Sequence, residues 1–338
     1  MPAVQDIRCA MPQAQIDWVV ERGFADLVKR CDGVNRVIAC DLRSWKKTWW
    51  TRSTRLAWAA FKAELCAQKY DVVIDCQGLT KSAVIARCAS LNAGGKRVAL
   101  ANRTDGSAYE APTRWLADVA VQVAPHTHAV ERTRWLCAQA LGYAPPPTGG
   151  WFFGLKTAES TVYIAQAAPK CIAFIHGTSR ADKCWNEAHW LGLGQRLLSA
   201  GYAIALLHGS ANEEARSQSL ANALGAGAHV WPRLPLGALT DRLAGCVGAI
   251  GVDSGLSHIA VALDLPHVQM YNFDTAWRTG PLGGSGGSSA SAGSQRQISV
   301  FASAQPSVDQ VWAGWLQVSE AAANQALHRA ARKDGGDA

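Results

Sequence analysis

Residues 249–260 read Ala249-Ile250-Gly251-Val252-Asp253-Ser254-Gly255-Leu256-Ser257-His258-Ile259-Ala260. An apolar strand runs directly into small polar residues and then into a helix. Through such a junction an α/β protein offers backbone N–H groups to an anion. Ser254 and Gly255 keep the helix start free of bulk, and the unsatisfied N–H groups and the helix dipole there favour negative charge. Asp253 stands at the strand's carboxyl end, where open α/β sheets bind ligands, and is placed to accept hydrogen bonds from a sugar or from neighbouring amides. The competing interpretation is an ordinary strand–turn–helix junction capped by Ser or Asp.

The same alternation extends along the chain. Short β-rich runs at Ile16–Val20, Val34–Ala39, Val72–Asp75 and Arg97–Leu100 are each followed by helical patterns. A second set follows at Cys171–Ile175, Ala203–Leu207, Ala249–Val252 and His267–Tyr271. This predicts a parallel sheet with crossover helices, formed twice, and hence two Rossmann-like domains facing each other across a cleft. The Pro- and Gly-rich stretch Gly142–Gly150 fits a linker. The expected layout is a first domain over 1–148, a second over 149–305, and a terminal helix over 306–338. That helix packs back toward the first domain and ends in a polar tail. Its pattern, Ser307 to Arg332, begins with Val308, Val311, Trp312 and Trp315. The run Gly280–Ser294, almost all Gly, Ser and Ala, has too little apolar mass for a core and reads as a loop.

The chain opens on a helical pattern, Met1 to Met11, in which Val4, Ile7, Ala10 and Met11 roughly share a face. In a doubly wound domain the first strand is normally central. A domain opening on its first helix is therefore expected to lack that strand, through rearrangement or through truncation or a start placed too far downstream.

Of the 338 residues, 49% are hydrophobic, and no run approaches the roughly 18 apolar residues of a membrane span. The start has no basic-then-apolar leader, so the expected location is cytoplasmic. The 10 cysteines are scattered without C-x-x-C or zinc-type spacing, and Cys76, Cys171 and Cys246 sit in or beside apolar runs as expected core residues. The net charge of +7 suggests an acidic partner. It is concentrated in Leu42-Arg43-Ser44-Trp45-Lys46-Lys47-Thr48-Trp49-Trp50-Thr51-Arg52, followed by Arg55 and Trp58. Basic side chains bind phosphate or carboxylate, and tryptophan favours a membrane boundary or a stacking surface. The alternative is a helix with tryptophans in the core and Lys/Arg in solvent. No nucleic-acid-binding motif accompanies the patch, so no nucleic acid is expected.

In the second half, Ile172–Trp185 reads as a buried strand ending in the hydroxyl-rich turn His176-Gly177-Thr178-Ser179-Arg180-Ala181-Asp182-Lys183. Thr178 and Ser179 can donate to phosphate oxygens, and Lys183 can neutralise them as a point charge. A leaving diphosphate gains charge as its bond to a sugar breaks, so a lysine there stabilises the transition state more than the ground state. The next strand leads into His208–Glu214, where Glu213 is a candidate for ribose or base, although an acidic first helical turn is also common for dipole reasons. No G-x-G-x-x-G opens a strand–turn–helix, which weakens a nicotinamide-oxidoreductase reading, and no P-loop motif is present.

Three segments together, Phe174–Trp185, Gly251–His258 and Tyr70–Ser82, resemble glycosyltransferase family 9, the ADP-heptose-using lipopolysaccharide heptosyltransferases. Ile16–Gly23, Leu42–Trp50 and His128–Arg134 extend the resemblance, which runs from about residue 2 to about 318. It implies the GT-B fold and an inverting transfer of L-glycero-D-manno-heptose from ADP-heptose to Kdo of lipid A, in inner-core biosynthesis. The close alternative is the second heptosyltransferase type or a related transferase of the family. From another class, the alternative is an inactive ADP-sugar-binding protein.

Carried over by position, the resemblance implies donor binding by Thr178, Ser179, Lys183, Glu213, Leu234, Asp253, Ser254, Gly255 and His258. Leu234 matches a backbone contact near the adenine, and Lys183 the leaving-group stabiliser. Arg43, Trp45, Lys46 and Lys47 match an acceptor segment meeting carboxylates and phosphates of Kdo-lipid A. Ser44 replaces a position that is often basic, Asn186 a usual proline, and Asn272-Phe273-Asp274 a usual G-P-T-D turn. The family's catalytic base is an aspartate in a glycine-containing loop before the position of Met1, so no catalytic base is identifiable. Asp75 is the nearest carboxylate to offer instead. No metal or cofactor is expected, with ADP-heptose as co-substrate. Peripheral contact with the anionic cytoplasmic face of the inner membrane is expected through Arg43–Arg55.

Overall fold

The apolar runs become strands of two parallel-sheet units in a computed structural model that describes residues 1–145, 147–149, 151–158, 170–281 and 296–334. The units are Met1–Lys156 and Thr157–Ala338. The Gly/Ser-rich run from residue 282 onward, and the tail beyond 334, lie outside the described residues.

The first unit carries β1 (Asp17–Glu21), β2 (Arg36–Cys40), β3 (Lys69–Asp75), β4 (Ser90–Leu100) and β5 (Val119–Val121). These fall in two sheets, β1–β2 and β3–β4–β5, all pairs parallel. Helices α1 (Pro2–Ala10), α2 (Arg52–Leu65), α3 (Thr80–Cys88) and α4 (Ala129–Leu141) cover them. Pro2 starts α1, where a missing N–H costs nothing, and Ala3, Val4 and Ile7 face inward while Ala10 and Met11 are exposed, a narrower face than expected. The helix packs on α4, and Arg134 clamps it by bonding Asp6 through Nε (2.7 Å) and Nη2 (3.2 Å) and Glu131 through Nη1 (2.9 Å).

The boundary falls at Lys156 instead of 148 because residues 151–156 pair back onto the first unit. Asp32 N donates to Gly154 O (2.7 Å), Lys156 N to Arg30 O (2.8 Å), and Cys31 bridges Leu155. The cysteine expectation also needs correction: Cys246 is buried, Cys171 half-buried and Cys76 exposed.

The second unit carries β6 (Cys171–Ile175), β7 (Ala203–Leu206), β8 (Ala228–Val230), β9 (Gly248–Val252), β10 (His267–Tyr271) and β11 (Gln297–Phe301) in the order β11-β10-β9-β6-β7-β8. Counted from β6, this is the doubly wound order 3-2-1-4-5-6. All neighbours are parallel, which explains the continuous apolar strands CIAFI, AIAL and GAIGV. Gly251 lets the layers close, since a Cβ there would lie 2.5 Å from Ser257 Oγ and 2.8 Å from Ile175 Cβ. Helices α5 (Glu187–Ser199), α6 (Ala211–Leu224), α7 (Leu236–Ala244), α8 (Gly255–Ala262) and α9 (Val308–Asp334) complete the unit. Asn186, in place of the family's proline, caps α5 by accepting from Ala188 N at 2.9 Å.

The terminal helix, expected to pack toward the first domain, is a layer of the second unit. Val311, Trp315 and Val318 join the core formed by Ile172, Phe174, Ile250 and Val268, and α9 lies on β10, β11 and α5.

Candidate functional site

The strand order of the second unit reverses between β6 and β9, which pair from Ile172↔Gly248 to Ile175↔Gly251. Their carboxyl ends therefore lie side by side, where a doubly wound sheet opens a crevice. The loop after β6 carries His176–Lys183, and the loop after β9 carries Asp253 and Ser254 into α8. Asp253 is buried and joins the two loops. Lys183 Nζ lies 2.5 Å from its Oδ2, His258 Nε2 is 3.6 Å from its Oδ1, and Thr178 Oγ1 donates to its carbonyl at 3.3 Å. Ser254 is the N-cap of α8, and its Oγ is buried with no hydrogen-bond partner. A Cβ on Gly255 would meet nothing within 4 Å, so the helix start is open on that side. Ser179 is exposed in the β6 loop.

Glu213 is brought to the same edge from the first turn of α6. Its Oε2 accepts from Gly209 N at 2.7 Å, and Ser210 Oγ caps the helix at Glu213 N. The carboxylate rests against Gly177, where a Cβ would come 2.5 Å from Oε1. His176, fully buried, fixes the base of this contact. His176 Nε2 and Ser217 Oγ share a hydrogen bond at 2.8 Å, and Ser217 Oγ lies 3.4 Å from Leu207 O. Burial holds the imidazole pKa down at about 4, with the Arg216 charge acting the same way. Leu234 lies half-buried in the loop after β8, beyond Trp231, whose ring is covered by Arg242 at 4.5 Å.

Sequence reasoning missed the straps on the Lys183 turn. Asn272 Nδ2 donates to Asp182 O (2.9 Å) and Cys184 O (3.1 Å). Gln305 donates to Cys184 O (3.2 Å) and accepts from Asn186 N (3.0 Å), while Trp185 Nε1 donates to Pro306 O (2.7 Å). The departure Asn272 from the usual turn was the visible signal. Its partners lie about ninety positions away and were not.

In the first unit, Arg43, Lys46 and Lys47 are exposed just after β2. Trp45, expected beside them as an acceptor contact, is half-buried, with its ring 5.6 Å from Trp58 and 5.5 Å from Phe61. Asp75 is buried and hydrogen-bonded locally: Oδ1 accepts from Gln77 N (2.9 Å) and Gly78 N (3.3 Å), and Oδ2 lies 3.0 Å from Ser82 Oγ, which also reaches Leu79 O at 2.8 Å. Burial raises its pKa, opposed by these bonds. It organises the start of α3 and is not a free base. Among the described residues no three His, Cys, Asp or Glu side chains converge as a metal site.

The profile of glycosyltransferase family 9 (heptosyltransferase) matches residues 58–309. Lipopolysaccharide heptosyltransferase 1 of Pseudomonas aeruginosa is 38% identical over 291 residues, covering 84% of this chain and 77% of that protein. Heptosyltransferase WaaC of E. coli with ADP superposes at a TM-score of 0.74 with 31% identity, over 97% of this chain and 94% of that one. WaaC with ADP-2-deoxy-2-fluoro heptose gives 0.70 and 30% over the same shares.

Proposed function

The chain belongs to glycosyltransferase family 9, the heptosyltransferases, and from that premise we propose that it transfers L-glycero-D-manno-heptose from ADP-heptose to Kdo of lipid A, with inversion at the anomeric carbon. The observation that carries this reading is the joining of Thr178, Lys183 and His258 on Asp253 at the start of α8, with Glu213 on the same sheet edge. In the proposal the diphosphate lies over the α8 N-terminus. Backbone N–H groups and Thr178, with Ser179 at the loop tip, donate to its oxygens. Lys183 leaves Asp253 to meet the charge that grows on ADP as the glycosidic bond breaks. Asp253, released, accepts from sugar hydroxyls, and His258 supports it. Glu213 and the backbone at Leu234 take the nucleoside. Neutralisation by Lys183 and the helix N-terminus supplies what a divalent ion supplies in other transferases, so no metal is assigned.

On the acceptor side we assign Arg43, Lys46 and Lys47 to the carboxylates and phosphates of the lipid acceptor, with Trp45 holding their segment in place. An inverting transfer requires a carboxylate to take the acceptor proton, and Asp75, tied by local hydrogen bonds, is not assigned that role. That engagement favours a second reading, in which the chain binds ADP-heptose without turning it over.

Calorimetry with ADP-heptose and an ADP-release assay separate the readings. Release with Kdo-lipid A above that with heptosyl-Kdo-lipid A supports the proposed acceptor, and the reverse preference assigns the second heptosyltransferase activity. Binding without release supports the second reading. No binding of ADP-heptose overturns both.

A further inference from the structure

Lys183 ends a single 3-10 turn, Ala181–Lys183, closed by two backbone bonds of its own, Lys183 N to Arg180 O and Cys184 N to Ala181 O, each 3.1 Å. Ala181 and Asp182 are exposed, and Lys183 and Cys184 are only half-buried. Neither so short a turn nor the packing around it fixes the direction of a long, flexible lysine.

The carbonyls on either side of the lysine are taken by one side chain. Asn272 Nδ2 donates to Asp182 O at 2.9 Å and to Cys184 O at 3.1 Å, which uses both hydrogens of the amide. Asn272 follows directly on β10, a strand buried along its whole length. From the same strand end, Met270 O accepts from Asp253 N at 3.2 Å. One rigid element therefore holds the backbone of both members of the Lys183–Asp253 pair.

The sequence supplies an independent sign. Asn272 opens the stretch that replaces the family's G-P-T-D turn, and Asn186 replaces its proline. Glycine has no side chain to donate and proline has no N–H. Here Asn186 N donates to Gln305 Oε1 at 3.0 Å, and Gln305 Nε2 reaches Cys184 O at 3.2 Å. Both departures thus tie down the segment that carries Lys183, Asn272 on the two flanks of the lysine and Asn186 downstream of it. Hydrogen bonds stand where a proline would have supplied stiffness.

We propose that Asn272 is the positioning residue of Lys183, holding the peptide groups on both sides of it so that the ammonium group is aimed at Asp253 in the free site and at the terminal phosphate of a bound nucleoside diphosphate. The assignment rests on the donor-site reading above and adds to it a residue that acts only through the lysine. Free ADP bears on its terminal phosphate the charge that develops as the sugar leaves, so a lysine aimed there favours ADP over AMP.

Calorimetry with ADP and with AMP, on the full chain and on Asn272→Ala, Lys183→Ala and the double variant, tests this. The unsubstituted chain is expected to prefer ADP. Asn272→Ala should weaken ADP binding about three- to tenfold, the range of one or two lost hydrogen bonds, and leave AMP binding within about twofold. In the Lys183→Ala background the same substitution should cost ADP less than about twofold, because the group it aims is gone. Unchanged ADP affinity in Asn272→Ala overturns the proposal. An equal loss for AMP, or a loss that persists in full without Lys183, overturns it too, since either makes Asn272 a support of the whole site. An unsubstituted chain that binds neither nucleotide overturns the donor-site reading and this assignment together, before any substitution is made.

Discussion

Lys183 and Asp253 neutralise each other at 2.5 Å in the unliganded site, with the carboxylate buried and the lysine only partly so. An arriving diphosphate competes for the ammonium group against a fixed carboxylate, so affinity reflects an exchange of one anion for another. Removing the lysine leaves Asp253 and the diphosphate as two uncompensated negative groups. Lys183→Ala is therefore expected to weaken ADP binding by roughly 1.5 to 2.7 kcal/mol, ten- to a hundredfold, and, since it also leaves buried Asp253 without its cation, to lower the melting temperature of the unliganded protein. Calorimetry measures this directly, and unchanged affinity would place the diphosphate elsewhere. The residue types at this site were legible in the sequence because phosphate recognition draws on a narrow set of groups. Trp45 was read as part of the acceptor surface alongside Lys46, and only the packing reveals that its ring faces Trp58 and Phe61.

Elements were legible where they were long or continuously apolar. The runs that became β6, β7, β9 and β10 announce strands buried on both faces. The three-residue strands β5 and β8 carry too few apolar positions to stand out, and β11 is polar enough at Gln297 and Ser299 to be missed beside the Gly/Ser run. Long-range partnerships were not legible at all. The docking of α1 on α4 depends on Arg134 meeting Asp6 from 128 positions away, with both side chains largely buried. This clamp gives a prediction about the element it holds. Arg134→Ala leaves two buried carboxylates without a cation and is expected to destabilise the first unit by about 3–5 kcal/mol. Arg134→Lys, able to satisfy one acid but not the bidentate geometry, should recover part of the loss. Chemical denaturation monitors both, and a change below about 1 kcal/mol for the alanine variant, in the range of an exposed pair, would remove the clamp from the account of how α1 is held.

For the whole molecule, the contrast between the units matters most. Every residue of β9 is buried, whereas every residue of β1 is only half-buried, in a sheet of two strands. A two-stranded sheet is marginal by itself, so β1 amides are expected to exchange faster than those of β9. The second unit carries its own pH dependence. His176 and His267 are fully buried, and burial holds each pKa down at about 4 from an ordinary 6.5. Between those values the unfolded chain binds protons that the folded unit refuses, so stability rises with pH. The contribution is fully present above pH 6.5 and is lost progressively as the pH falls toward 4. Moving from pH 7 to pH 5 is expected to lower the opening free energy of β6 and β9 by about 2 kcal/mol for each histidine. Hydrogen exchange, corrected for intrinsic rates, reads those strands separately from β1. His267→Asn should remove about half of the slope, since His267 carries one of the two depressed imidazoles and its Nδ1 bonds the backbone of β9 at Ala249 O (2.9 Å). A flat profile between pH 7 and pH 5 would mean that the imidazoles charge inside the fold, and the neutral His176 behind Gly177 and Glu213 would have to be given up.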